Sequence, residues 1–256
     1  MKHGFANTNQ GRIHYLEQDS GPALILLHSN GASAFQYEEV MAAFGQRWRV
    51  LAMDMPGHGD SDRITVHTPI EKYAQAVVVF LDALKIERAA VAGDSVGGSI
   101  CLALARDHAR RTQGVVVSET PFRTTEDWEK TWPRVEATYS QPTQDLDELK
   151  PRFRNATPEL LKRWNTDRNK AGAWTMVDVM WAMREFDHLG ALKSLKGATA
   201  VMMGAKGNVV SNRGPYDDAV GKANVTVLPE CGHFPMIDDP ALFVKEVNRL
   251  IDAVAR

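Results

Sequence analysis

Around Ser95 the chain passes from an apolar run into a helical pattern within five residues, Gly93-Asp94-Ser95-Val96-Gly97. From Ala89 to Ala92 every residue is small or β-branched and apolar, and from Val96 to Arg111 apolar positions recur at helical spacing. Ser95 therefore sits on the turn itself. So tight a strand-to-helix turn forces strained angles on the serine and tolerates only small residues two positions to either side, which Gly93 and Gly97 supply. The side chain is then presented away from the sheet, at the start of a helix. The unpaired N–H groups there can receive developing negative charge, so one local geometry offers a nucleophile and part of its transition-state stabiliser.

The rest of the chain repeats the same alternation. Strand-like runs fall at Ala23 to Leu27, Arg49 to Met53, Ala89 to Ala92, Val115 to Val117, Ala200 to Met203 and Val225 to Leu228. Helical patterns lie at Ile70 to Leu84, Val96 to Arg111 and Ala241 to Ala255. This rhythm predicts a mostly parallel sheet flanked by helices, and residues 2–7 and 11–18, joined near Asn9-Gln10-Gly11, predict an antiparallel hairpin at its edge. Between about Pro121 and Asp187 strand-like runs vanish and charged, aromatic, helix-compatible sequence replaces them. The expected organisation is a core of residues 1–120 and 188–256 with a helical cap, 121–187, inserted into it.

Five of the six tryptophans fall in that cap, at 128, 132, 164, 174 and 181, with Phe122, Phe153 and Phe186 alongside. Most of these rings are expected to pack cap against core. Because pockets form between domains, some are expected to face a ligand, Trp181 first, with Trp128 and Phe122 as further wall residues.

Thirty Lys and Arg against 32 Asp and Glu give a formal net charge of −2, which offers neither a nucleic-acid footprint nor a membrane-surface patch. The N-terminus has no apolar leader and no stretch approaches membrane-spanning length, so a cytoplasmic location is expected. Cys101 and Cys231 stand alone and read as small buried apolar residues, and the scattered His3, His14, His67, His108 and His188 show no metal-ligand spacing. Neither a metal nor an organic cofactor is expected, and the partners are a small-molecule substrate and, for self-association, a homodimer.

A serine needs a base, and Cys231-Gly232-His233-Phe234-Pro235, directly after the last strand-like run, provides His233. With this loop, His28-Ser29-Asn30-Gly31, Asp54-Met55-Pro56-Gly57-His58-Gly59 and the Ser95 turn, the whole chain resembles the α/β-hydrolases with a helical cap. The resemblance implies an eight-stranded sheet, and an oxyanion hole formed by the backbone N–H groups of Asn30 and Val96. Ser29 stands where such proteins usually have a glycine, and it is expected to touch substrate. His28, Asp54 and His58 are expected to shape their loops.

The resemblance also implies an acid after the strand Ala200 to Met203, yet that loop reads Gly204-Ala205-Lys206-Gly207-Asn208-Val209-Val210, with no carboxylate. Either the site is dead or the acid lies elsewhere. Glu119, in Ser118-Glu119-Thr120-Pro121 just before the cap, is placed to reach His233 and keeps the order nucleophile, acid, base. Asn208 is the weaker candidate, since a neutral amide cannot offset imidazolium charge.

A Glu at this place, a loop without Asp, a His-Phe-Pro turn and a tryptophan like Trp181 resemble the fungal zearalenone (resorcylic acid lactone) hydrolases. Haloalkane dehalogenases share the Glu position but have an Asp nucleophile where this chain has Ser95. The expected function is a serine hydrolase with a Ser95-His233-Glu119 triad, opening the ester or lactone bond of an apolar, aromatic substrate. Carbon–carbon bond hydrolysis on the same elbow, or a receptor that binds without turnover, are the alternatives.

Overall fold

The computed structural model describes residues 1–195 and 198–255. Its eight strands are β1 (Lys2–Thr8), β2 (Gly11–Gln18), β3 (Ala23–Leu27), β4 (Arg49–Met53), β5 (Ala89–Asp94), β6 (Thr112–Ser118), β7 (Thr199–Gly204) and β8 (Val225–Leu228). They form one sheet in the order β1-β2-β4-β3-β5-β6-β7-β8. The β1-β2 hairpin and the β2-β4 pair are antiparallel, and every pairing from β4 through β8 is parallel. The helices are α1 (Glu38–Gly45), α2 (Ile70–Ala83), α3 (Val96–Asp107), α4 (Thr125–Tyr139), α5 (Leu146–Leu149), α6 (Pro158–Glu185), α7 (His188–Ser194), α8 (Arg213–Val220), α9 (Pro235–Asp238) and α10 (Pro240–Val254).

Both faces of the parallel strands are covered, which is why β3 and β5 lack polar alternation and are buried throughout. Side chains still alternate in direction. Ile25, Leu27, Val91, Val115 and Val117 join α2 and α3 in one core, while Leu24, Leu26, Ala90, Ala92 and Val116 join α1 and α10 in the other.

The helix expected over Val96 to Arg111 stops at Asp107. His108 leaves helical geometry (φ −132°, ψ 41°), and a short 3₁₀ turn over Ala109–Arg111 returns the chain to β6. The insertion between β6 and β7 contains α4, α5 and α6, and no strand falls in it among the described residues. Thr124 and Asp127 form a capping box that starts α4. The long α6 is interrupted by a kink at Gly172 (φ 78°, ψ 156°). Met176 carries its backbone oxygen to the Asn30 side-chain amide at 2.8 Å.

Candidate active site

Ser95 stands between the last residue of β5 and the first of α3 with φ 55° and ψ −116°, a region that non-glycine residues occupy only under constraint. The constraints are visible. Its N–H donates to Ser118 O at 2.8 Å, and its O accepts from Thr120 Oγ1 at 2.8 Å, so the adjoining end of β6 clamps the turn from both sides. A methyl group on Gly93 would lie 2.2 Å from Gly97 O, and one on Gly97 would lie 2.1 Å from Leu27 O. Glycine at both positions is a steric requirement of the elbow.

Val96 is the first residue of α3, where a backbone N–H has no intrahelical acceptor. Across from it lies the loop after β3. The Ser29 N–H is taken by Gln36 Oε1 at 2.9 Å, and Ser29 Oγ donates to Asp94 Oδ2 at 2.6 Å. The Asn30 side chain bonds Met176 O and meets His58 Nε2 at 3.3 Å. His28 is fixed by Ser29 O and by the Met55 N–H, which donates to its Nε2 at 3.0 Å. Burial holds both His28 and His58 below the ordinary histidine value, His58 to about 3, so both rings are neutral struts.

His233 follows β8. Its N–H donates to Arg152 O at 3.1 Å, and Gly232 N–H donates to Asp238 Oδ2 at 2.6 Å. Phe234 anchors the turn by stacking on Phe153 at 4.4 Å and meeting Trp164 edge-on at 5.2 Å.

Glu119 is fully buried and also has a left-handed backbone (φ 44°). Its N–H donates to Met202 O of β7 at 3.1 Å, Oε1 accepts the Gly204 N–H at 2.6 Å, and Oε2 lies 3.2 Å from His233 Nδ1. The carboxylate that follows β6 thus fills the end of β7, where the expected Asp is missing. A methyl group on Gly207 would stand 2.5 Å from Glu119 Oε2, so the carboxylate occupies space that only glycine leaves open. Asn208 is exposed, and its carbonyl accepts the Ser211 hydroxyl at 2.8 Å.

Burial raises the Glu119 carboxyl and lowers the His233 imidazole, the direction expected for ionisable groups withdrawn from water. A neutral His233 can accept a proton through Nε2 while Nδ1 faces the carboxylate. An elbow serine and such an imidazole are the nucleophile and the base that acyl transfer needs.

The family described as alpha/beta hydrolase fold matches residues 22–157. The chain belongs to the α/β-hydrolase family. Haloalkane dehalogenase 2 of Mycobacterium bovis is 34% identical over 117 residues, covering 45% of this chain and 41% of the relative. Bifunctional epoxide hydrolase 2 of Mus musculus is 36% identical over 129 residues, covering 48% of this chain and 23% of its own length. These alignments therefore span less than half of each relative. The enol-lactonase of Burkholderia xenovorans LB400 superposes with a TM-score of 0.81 at 22% identity, over 97% of this chain and all (100%) of that one. At that identity the likeness is one of fold.

The other expected ligand contacts of this α/β-hydrolase occupy different settings. Trp128 is buried beneath the Arg123 guanidinium, 4.5 Å from its ring centroid, and Phe122 is half-buried against the same core. Trp181 is 39% exposed and packs on Trp132 at 4.2 Å. Ser29 is buried and spends its hydroxyl on Asp94.

Asp94 escaped the sequence reading although it adjoins Ser95. It is fully buried, Oδ1 has no partner among the described residues, and burial lifts its carboxyl to about 6. Gly207 was also missed. A loop that has lost its acid and keeps two glycines was the available signal.

Among the described residues, His14, Asp54 and Asp60 form a group whose ligand atoms fall within 4.8 Å of one another. Their lone pairs are already used: Asp54 takes the Ala34 and Asp60 N–H groups and pairs with His14 Nδ1 at 2.7 Å, and Asp60 binds Lys170. The group reads as a brace for the loop after β4. Among the described residues no helix is long and apolar enough to cross a membrane.

Proposed function

We propose that this α/β-hydrolase cleaves a carboxylic ester or lactone through an acyl-enzyme on Ser95, with His233 as base and Glu119 as its orienting acid. The observation that carries the reading is the Glu119 carboxylate at 3.2 Å from His233 Nδ1, delivered from β6 to the end of β7. His233 Nε2 takes the Ser95 proton as Oγ attacks the carbonyl carbon, and the N–H groups of Asn30 and Val96 receive the oxyanion. Collapse expels the alkoxide, which takes the proton from His233. Water, deprotonated by the same imidazole, then releases the carboxylate and restores Ser95. In a lactone the alkoxide stays tethered to the acyl group, so the helical cap, residues 121–187, must hold it away until water attacks.

Support comes from the shared fold and from a reading of the sequence. The enol-lactonase shares the fold over the full chain, and the sequence resemblance to zearalenone lactone hydrolases rests on Glu119 and the His233-Phe234-Pro235 turn. Within this class a resorcylic lactone and simple aryl esters are the first substrates to assay. The dehalogenase and epoxide hydrolase similarities are set against Ser95 at the nucleophile position.

The test is labelling by a fluorophosphonate, with mass spectrometry to locate the adduct, together with ester hydrolysis by Ser95→Ala and Glu119→Ala. The reading requires an adduct on Ser95 and loss of turnover in both variants. No adduct on folded protein would remove it.

A further inference from the structure

The loop that carries the Asn30 N–H is held from two sides. Ala32 N–H donates to Ser29 O at 3.1 Å, closing a turn over residues 29–32 with Asn30 and Gly31 at its centre, and Gly31 takes the left-handed φ of 77° that glycine supplies there. Ser29 is held by the core: its N–H goes to Gln36 and its hydroxyl to Asp94, the residue before the nucleophile. Asn30 is held by the insertion. Its Nδ2 donates to Met176 O of α6 at 2.8 Å, Oδ1 faces His58 Nε2 at 3.3 Å, and the residue is buried. The reversed amide would set Oδ1 against a carbonyl oxygen, so this orientation is the one that bonds.

α6 presses on the same turn. A methyl group on Gly31 would lie 2.7 Å from Met176 Sδ and 3.3 Å from Arg168 Cγ, and farther along the helix Arg163 bonds Phe35 O and Glu38. Other ties of α6 to the core, Lys170 to Asp60 and His67 to Asp178, run through solvent-accessible Lys170 and His67, where water can replace them. The buried Asn30 amide has no such substitute, so a shift of α6 away from the loop leaves Nδ2 unbonded or turns the side chain. The Asn30 N–H itself has no acceptor among the described residues. It belongs to the planar peptide unit between Ser29 and Asn30, so the core fixes one end of that unit and α6 the other.

We propose that the Asn30 side chain is a positioning group that ties the oxyanion hole to the insertion: with α6 seated on the turn the Asn30 N–H points where an oxyanion needs it, and with α6 displaced it does not. The inference rests on the hydrolase reading for the role of that N–H, and on the contact between Asn30 and Met176 for the coupling. Substrates are then selected in turnover more than in binding. A molecule that lifts α6 still enters the site but meets an incomplete oxyanion hole.

Asn30→Ala and Asn30→Leu both keep the backbone N–H, and the second keeps most of the side-chain volume, so either one that folds serves. On p-nitrophenyl acetate each is expected to lower kcat by about 10²-fold, the scale of a group displaced by about 1 Å, with KM within about 3-fold of wild type. Labelling by a fluorophosphonate reads the same geometry: Ser95 Oγ bonds phosphorus, fluoride leaves, the serine proton passes to His233 and the phosphoryl oxygen takes the place of the oxyanion. Its rate constant should fall with kcat, whereas a loss of folded protein lowers only the amount labelled. His58→Leu keeps the bond to Met176 and should stay within about 3-fold of wild type in both measurements. If Ser95 is labelled in wild type and the Asn30 variants keep kcat and labelling rate within about 3-fold, the coupling falls and the hydrolase reading stands. A rise in KM at unchanged kcat would make the side chain a substrate contact, and an equal loss in His58→Leu would assign the loop to His58; either overturns the proposal. Folded wild-type protein that takes no label removes the hydrolase reading and the coupling with it.

Discussion

Glu119, directly after β6, places its carboxylate 2.6 Å from the backbone N–H of Gly204, the last residue of β7. One strand thus supplies a carboxylate to the position its neighbour leaves vacant. The side chain is long enough to cross one strand spacing, and Gly207 leaves room for it. The strained Glu119 backbone (φ 44°) is held by the bond to Met202 O.

If Glu119 orients His233, Glu119→Gln should lower kcat by up to about 10⁴-fold, the loss seen when a serine-protease triad loses its carboxylate. KM should change little. Asn208→Ala should retain nearly full activity, because that residue is exposed. Steady-state kinetics on a chromogenic ester distinguishes the two, and a near-normal Glu119→Gln would end the assignment.

Gly207→Ala tests the same relationship from the other side. Its Cβ would stand 2.5 Å from Glu119 Oε2 and displace the carboxylate. A shift of about 1 Å in such a group costs on the order of 10²-fold in rate. Gly214→Ala is the control, since a methyl group there meets nothing within 4 Å. Equal kcat for both variants would show that Glu119 needs no fixed place.

The pH profile follows from the buried imidazole. His233 must be neutral to act as base, and burial lowers its protonation point below the ordinary 6.5. Protonation on the acid side is what removes activity, so the limb of kcat/KM that belongs to His233 is expected below pH 6.5. A limb centred at or above 6.5 would mean that His233 is solvated in the working enzyme.

His67 ties the loop after β4 to α6, with Nδ1 2.6 Å from Asp178 and Nε2 3.0 Å from Glu185. Those carboxylates raise its protonation point in the folded protein, the bond to Asp178 most. The stabilisation is therefore complete below the unfolded value of 6.5 and is lost as pH rises through the folded value. The imidazole is 43% exposed, so screening limits the effect to about 1 kcal/mol or less. His67→Gln should lower the melting temperature at pH 6 and match wild type at pH 9.5. The same deficit at both values would point to lost packing.

Ser29→Ala should cost about 1–3 kcal/mol in urea denaturation, because it leaves the buried Asp94 Oδ2 with only Gln36 at 3.5 Å. Since the same bond ties the Asn30 loop to the elbow, kcat should fall with it. Unchanged stability would mean that Asp94 takes up a proton and a new partner at no cost.

The sequence by itself determined the sheet, the elbow and the histidine. β3, β4 and β8 begin and end where the strand-like runs do, and β3 is apolar throughout because it is buried on both faces. Ser95 was legible because its turn demands glycine two residues away on each side, a requirement written entirely in local sequence. The missing Asp was legible too, and it pointed to Glu119. Tertiary structure decided how that residue is received: by the Gly204 N–H, the space at Gly207 and the Met202 carbonyl, all on another strand or its loop. It also decided which rings and charges gather over the site. Arg168 of α6 stands beside Gly31 and Met176 of the same helix bonds Asn30, contacts between residues far apart in the chain that carry no shared spacing. A helix surface can be read from periodicity, but the loop beneath it is chosen by packing.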